Sequence, residues 1–103
     1  MYVTQTEVGE RSVVITVDDE LDLATAPELR AALEGIEADG YRTTIDLGDC
    51  AFVDSTGIGV IVDAGRRLKG TTKKLRIANL RGQPRQVFEL TLTDQLPYLD
   101  ISD

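Results

Sequence analysis

From Thr44 to Val62 the chain reads T-I-D-L-G-D-C-A-F-V-D-S-T-G-I-G-V-I-V. Two apolar runs meet there at a polar corner, Asp54-Ser55-Thr56-Gly57. The first run, Thr43 to Leu47, is short and β-branched, which suits a buried strand. The second starts at Ile58 and places apolar residues at 58, 61, 62 and 68, a helical spacing. The corner is therefore where a buried strand and its connection deliver the chain into a helix. Ser55 is placed to be the N-cap of that helix, its hydroxyl accepting from the N–H of Gly57 or Ile58. A serine held there keeps its oxygen outward on an anchored helix, a position from which a hydroxyl can be presented to another protein.

The rest of the chain supplies the elements around this corner. Residues 2 to 8 and 11 to 17 are two strand candidates split by Gly9-Glu10, which predicts an antiparallel hairpin. The first has only Val3 and Val8 as main apolar residues and reads as an edge. Asp18-Asp19-Glu20 breaks the pattern. Thr25 followed three residues later by Glu28 forms a capping box, and Pro27 falls in the first turn, where its missing N–H costs little. Leu29, Ala32, Leu33 and Ile36 continue as one stripe, so a helix is expected at about 25 to 38, with Gly40 as its stop. Lys69-Gly70 ends the central helix. Lys74 to Ala78 alternates as a strand, and residues 82 to 91, with Val87, Phe88 and Leu90, read as a third helix. The tail from Leu96 to Ile101 is apolar enough to dock on the core. The order is α/β, with later strands parallel through right-handed crossovers and the opening hairpin making a small mixed sheet packed by α-helices.

Length and charge narrow the function. One hundred and three residues make a single domain, 1–103. No apolar run approaches the roughly 18 residues of a membrane span. The N-terminus lacks the basic start and apolar middle of a signal peptide, so a cytoplasmic protein is expected. A net charge of −7 argues against nucleic-acid binding, which needs clustered Lys and Arg. Arg66-Arg67-Lys69 and Lys73-Lys74 do cluster, but near a helix end, where they read as solvated complements to the dipole. There is no histidine and one cysteine, Cys50. This leaves no Ser-His triad, disulfide or thiol metal cluster, and no metal or cofactor is expected. Cys50 reads as a small buried apolar residue.

The corner A-F-V-D-S-T-G-I-G-V-I-V resembles the signature of the STAS domain found in anti-sigma factor antagonists. A second stretch, Val17-Asp18-Asp19-Glu20-Leu21-Asp22-Leu23-Ala24-Thr25-Ala26, is similar to the family's other signature, before the first helix. Ile45-Asp46-Leu47 and Val87-Phe88-Glu89-Leu90 are similar to its central strand and late helix. One departure is visible: the family commonly has glycine before the Glu-Leu-Asp run, and here Asp19 stands there. Asp tolerates the left-handed conformation, so the turn can survive. The resemblance implies a small mixed sheet with helices and a non-enzymatic partner switch. The unphosphorylated protein would bind an ATP-binding anti-sigma factor serine kinase and free a sigma factor. Phosphorylation of Ser55 would break the complex, and a phosphoserine phosphatase would restore it. The resemblance also places Asp22, Ala24 and Thr25 beside the phosphoserine, on the partner surface.

Each of these residues has a plainer reading too. Asp54 can stabilise the helix start by its charge, accept a neighbouring N–H, position Ser55 or touch the partner. Gly57 and Gly59 each cost roughly 1 kcal/mol against alanine inside a helix. They fit the close approach of another backbone, from within the domain or from a partner. G-x-G here lacks the third glycine of a dinucleotide site, Val62 standing in its place. D-S-T-G is a residue off the aspartic-protease motif and occurs once. At about 100° per residue, positions 58, 61, 62, 65 and 68 share the core face. Thr56, Val60, Asp63 and Arg67 then point outward, and Thr56 and Val60 join the expected partner surface. A STAS adaptor without phosphorylation, acting as a subunit or as a small-ligand or nucleotide sensor, is the alternative. Ser55 as a catalytic nucleophile has no base in the local motif.

Overall fold

The computed structural model describes residues 3–9, 11–38, 41–68 and 73–102. β1 (Val3–Glu7) and β2 (Ser12–Val17) form the expected antiparallel hairpin, Val3 opposite Val17 and Glu7 opposite Val13. Its turn is closed by the Val8 N–H on the Ser12 carbonyl at 3.1 Å. Glu10, Gly40 and Lys69-Gly70, expected to end or turn elements, lie outside the described residues.

β4 (Arg42–Asp46), β6 (Leu75–Ala78) and β7 (Leu99–Ser102) continue the sheet in the order β1-β2-β4-β6-β7, every pair after the hairpin parallel. The alternation of β-branched residues sorts the strands into two faces. Val13, Ile15, Val17, Ile45, Leu75, Ile77 and Leu99 are buried on one of them. They share a core with Leu29 and Leu33 of α1 (Ala26–Ala38) and with Ile58, Ile61 and Ala64 of α2 (Ser55–Arg66). Burying each large aliphatic side chain contributes about 1.5–3 kcal/mol. The other face carries Val14, Thr44, Arg76 and Asp100 in register across four strands, all half-exposed or exposed. α3 (Gly82–Leu90) seals one end of the core with Phe88, which is fully buried. The tail does more than dock: Leu96 to Ile101 contributes the edge strand β7.

Besides β7, two more strands were not expected from the sequence. β3 (Asp19–Leu21) and β5 (Cys50–Val53) pair in parallel as a separate ribbon, Glu20 opposite Phe52 and Leu21 opposite Val53. Asp19 adopts a φ of 62°. The left-handed turn that glycine makes elsewhere in such sequences is therefore made here by an aspartate. The register shifts between Asp19 and Glu20, and that irregularity hides β3 from a period-two reading. None of the described helices is long and apolar enough to cross a membrane.

Candidate functional site

The polar corner follows directly from β5. Asp54 is extended (φ −105°, ψ −176°) and Ser55 is the first helical residue of α2. The cap is therefore Asp54, not Ser55. One Asp54 carboxylate oxygen accepts from the N–H groups of Thr56 at 2.9 Å and Gly57 at 3.0 Å. Two donors that would otherwise be orphaned at the helix start are thus satisfied by an anion, the sign that the dipole favours. Ser55 is exposed, and its hydroxyl takes no part in the cap.

The ribbon brings the second signature to this corner. The Asp54 N–H donates to the Leu21 carbonyl at 3.1 Å, so Asp22 and Ala24 follow immediately beyond the point of contact. Asp22 accepts from the N–H groups of Ala24 at 3.0 Å and Thr25 at 3.1 Å, which folds the loop onto its own carboxylate. Thr25 is buried at 6% exposure. Its hydroxyl accepts from the Asp22 N–H at 2.9 Å and donates to the Glu20 carbonyl at 2.8 Å. Thr25 is thus a structural lock on the loop rather than a surface contact. The expected capping box gives way to this lock, because the hydroxyl turns back on the preceding loop. Asp22 is half-exposed and Ala24 exposed.

Glu20 and Asp22 form a carboxyl pair. The hydrogen bond to Asp22, and then the charge of Asp22, hold Glu20 above its ordinary value. Burial acts to raise Asp22, but the Thr25 N–H, the Glu20 carboxyl, the Ala24 N–H and the Thr25 hydroxyl outweigh it and hold Asp22 below its ordinary value. Of the two, Asp22 therefore ionises first as pH rises, and Glu20 after it. Burial pushes the Cys50 thiol up, and its Sγ sits 3.3 Å from the Phe52 carbonyl. Cys50 is 4% exposed, which fits a small buried apolar residue.

The glycines of α2 separate by role. A Cβ on Gly57 would stand 2.6 Å from Leu21 Cγ and 2.7 Å from the Leu21 carbonyl oxygen. That carbonyl is the acceptor of the Asp54 N–H, so the close approach is internal, and Gly57 is buried rather than offered to a partner. A Cβ on Gly59 would meet nothing within 4 Å. Gly57→Ala is expected to destabilise the fold by about 2 kcal/mol through overpacking. Gly59→Ala is expected to stabilise it by about 0.5–1 kcal/mol through helix propensity and unfolded-state entropy. Thermal melts of the two variants should shift in opposite directions, and shifts of the same sign would refute the assignment.

Val60 is 2% exposed and belongs to the core, so the expected outward contact is corrected. α2 buries Gly57, Ile58, Val60, Ile61, Ala64 and Gly65, an arc wider than one stripe. A Cβ on Gly65 would come 2.7 Å from the Tyr98 ring, so the far side of that arc is packed by the C-terminal segment. Thr56 and Gly59 remain half-exposed. The surface beside Ser55 is thus made by Asp54, Thr56, Gly59, Asp22 and Ala24. Two exposed apolar side chains escaped the sequence reading, Leu23 in the loop after β3 at 73% and Phe52 on β5 at 42% exposure. An isolated leucine in a polar loop was the available signal. Gln83 was also missed: its side-chain amide accepts from the Val53 N–H at 2.8 Å and donates to the Val53 carbonyl at 3.0 Å. Among the described residues, no group of three His, Cys, Asp or Glu side chains could hold a metal ion.

This arrangement has relatives. A family model described as "Mlab, STAS domain" matches residues 4–99. The chain is 35% identical over 89 residues to the anti-sigma-B factor antagonist of Listeria monocytogenes, covering 82% of this chain and 78% of that protein. It superposes on the crystal structure of an anti-sigma factor antagonist from Mycobacterium paratuberculosis with a TM-score of 0.80 and 27% identity, covering 95% and 85% of the two chains. Its fold also matches that of the Bacillus cell fate determinant SpoIIAA in the phosphorylated form, at a TM-score of 0.73 and 24% identity over 98% and 91% of the chains.

Proposed function

Because the chain belongs to the STAS domain family, we propose that it is an anti-sigma factor antagonist switched by phosphorylation at Ser55. The observation that carries this reading is the division of labour at the corner. Asp54 satisfies the helix start, so the Ser55 hydroxyl is exposed on a fixed backbone with no structural task. The unphosphorylated form binds an ATP-binding anti-sigma factor serine kinase and thereby releases a sigma factor. Phosphate transfer to Ser55 ends the complex, and a phosphoserine phosphatase resets it. The names of the relatives support this reading.

The partner surface comprises Ser55, Asp54, Thr56, Gly59, Asp22 and Ala24, extended by the exposed Leu23 and Phe52. Exposed apolar side chains rimmed by polar ones are the ordinary composition of a protein contact. Gly59 fits there as a gap through which a partner's backbone can approach α2.

The test is a pull-down from the native host with Mg-ATP present, followed by mass spectrometry of the bait. The expected result is capture of an ATP-binding serine kinase, and one phosphate on the wild-type chain that is absent from Ser55→Ala. Capture of a partner that binds no nucleotide, with no phosphate acquired, would favour the adaptor reading instead. Stoichiometric phosphorylation of Ser55→Ala would place the switch on another residue.

A further inference from the structure

The five-stranded sheet ends on β1 at one edge and on β7 at the other, and the two edges are built differently. β7 is four residues long, carries Asp100 and begins two residues after Pro97. Short length, charge and a nearby proline are the usual devices that keep an edge from pairing with another chain. β1 has none of them. Its five residues, Val-Thr-Gln-Thr-Glu, contain no proline, lysine or arginine, and its pairing with β2 runs from Val3 to Glu7 without a bulge. All but Val3 are exposed, and Val8 beyond them is exposed at 57%.

The hairpin fixes which backbone groups that edge offers. The Val8 N–H donates to the Ser12 carbonyl at 3.1 Å, so the Val8 backbone faces β2. In an antiparallel pair this orientation alternates. Thr4 and Thr6 therefore bond inward to β2, and the N–H and C=O groups of Gln5 and Glu7 point outward. Among the described residues, nothing pairs with them. The side chains alternate with the same period. Thr4, Thr6 and Val8 lie on the open face of the sheet, and Gln5 and Glu7 lie on the side of Val3.

We propose that β1 is a self-association edge, pairing antiparallel with β1 of a second copy of this chain about a two-fold axis at Thr6. The register is self-complementary. Gln5 meets Glu7 of the second copy, so the outward donors and acceptors of one edge face those of the other, and the edge's lone carboxylate faces an amide. Thr6 meets Thr6 of the second copy, a favourable cross-strand pair. Val8 meets Thr4 of the second copy and is covered. Parallel pairing would instead set the two Glu7 carboxylates side by side. The rest of the surface opposes the contact, because each copy carries a charge of −7 and repulsion between copies is long-range. A five-residue edge also buries less than the roughly 1,200 Å2 of a standard interface. The dimer is therefore transient, with a Kd on the order of 0.1 mM, and salt strengthens it by screening the repulsion.

Sedimentation equilibrium of the full chain at up to about 1 mM should show a monomer–dimer equilibrium that tightens as salt rises. Amide exchange should slow at Gln5 and Glu7 as concentration rises and stay constant at Thr4 and Thr6. Thr6→Lys sets like charges on the axis and leaves the bonds to β2 intact. It should weaken association about tenfold or more without lowering the melting temperature in dilute solution. Cross-linking under oxidised glutathione reads the register. In Thr6→Cys the two Cα atoms stand about 4.5 Å apart, within disulfide reach, and a covalent dimer should form. In Thr4→Cys the substituted positions lie several residues apart along the paired strands, and none should form. Cys50 is 4% exposed and does not compete. A chain that stays monomeric at about 1 mM, undiminished association of Thr6→Lys, or cross-linking of Thr4→Cys as readily as Thr6→Cys would overturn the proposal. So would association that protects the amides of β7 or those around Ser55 instead.

Discussion

The Val60→Glu protein is expected to lose about 4 kcal/mol of stability or more, from a total of about 5–15 for a domain of this kind. Val60 is 2% exposed, and the same arc of α2 packs Ile61 and Ala64. The substitution removes a buried apolar side chain and puts a carboxylate in its place. Neither water nor an opposite charge is available there to offset the desolvation. The melting temperature should fall by roughly 20 °C. Burial would also raise the pKa of the introduced carboxyl above its unfolded value. Its protonated form is the one the folded state tolerates, so the destabilisation should shrink as pH falls and grow as pH rises through that raised pKa. Thermal melts at neutral and mildly acidic pH read both effects. A melting temperature near wild type at neutral pH would show that Val60 faces solvent.

Phosphorylation of Ser55 is expected to weaken kinase binding about a hundredfold, equivalent to about 3 kcal/mol, while leaving the fold intact. The phosphate adds about −1.5 to −2 charges at neutral pH. In the free protein it stands in solvent at the first residue of α2. The N–H groups of Thr56 and Gly57 are already taken by Asp54, so the helix start does not gather in the new anion. It stays a solvated charge beside the Asp54 carboxylate and near the charged Asp22. Covered by a partner, the same dianion loses its water and is left with acidic neighbours. Amide NMR of the two forms should show shifts confined to residues 54 to 60 and the Asp22 loop, and titration calorimetry the lost affinity. Shifts across the whole sheet, or undiminished affinity, would rule the mechanism out.

What the sequence revealed and concealed follows from the range of each interaction. Four strands of the sheet and three helices were legible from local signals, β2 and β4 as β-branched apolar runs, β6 by alternation and α1 and α2 by helical spacing, whereas β7 was expected only to dock. The phase of the cap is not local. Aspartate and serine are both good caps, and the choice between Asp54 and Ser55 is made by the Asp54 N–H reaching Leu21, a contact between distant segments. Val60 was misplaced because the projection allowed α2 one buried stripe. Val60 and Ala64 are four residues apart and share a face. Counting Ala64 as core would have carried Val60 inward with it. Gln83 had no signal in its own neighbourhood, since its partner is the edge of β5. The family itself was legible because the surroundings of Ser55 in the chain repeat a family pattern.

The ribbon of β3 and β5 has a consequence in the time domain. Its strands are three and four residues long, and a two-stranded ribbon is marginal alone. It is tied further by the Leu21–Asp54 bond, by the Gln83 amide clamped across Val53 and by the buried side chains of Leu21, Cys50 and Val53. The central strands β2 and β4, paired on both sides, surrender their amide protons only when the whole molecule opens. Val53 and Asp54 are expected to exchange theirs through a smaller, sub-global event, which amide exchange followed by NMR would read. Ser55, the proposed switch residue, sits at the margin of that unit. On the proposed function, that margin would yield briefly to a kinase while the scaffold keeps its long lifetime.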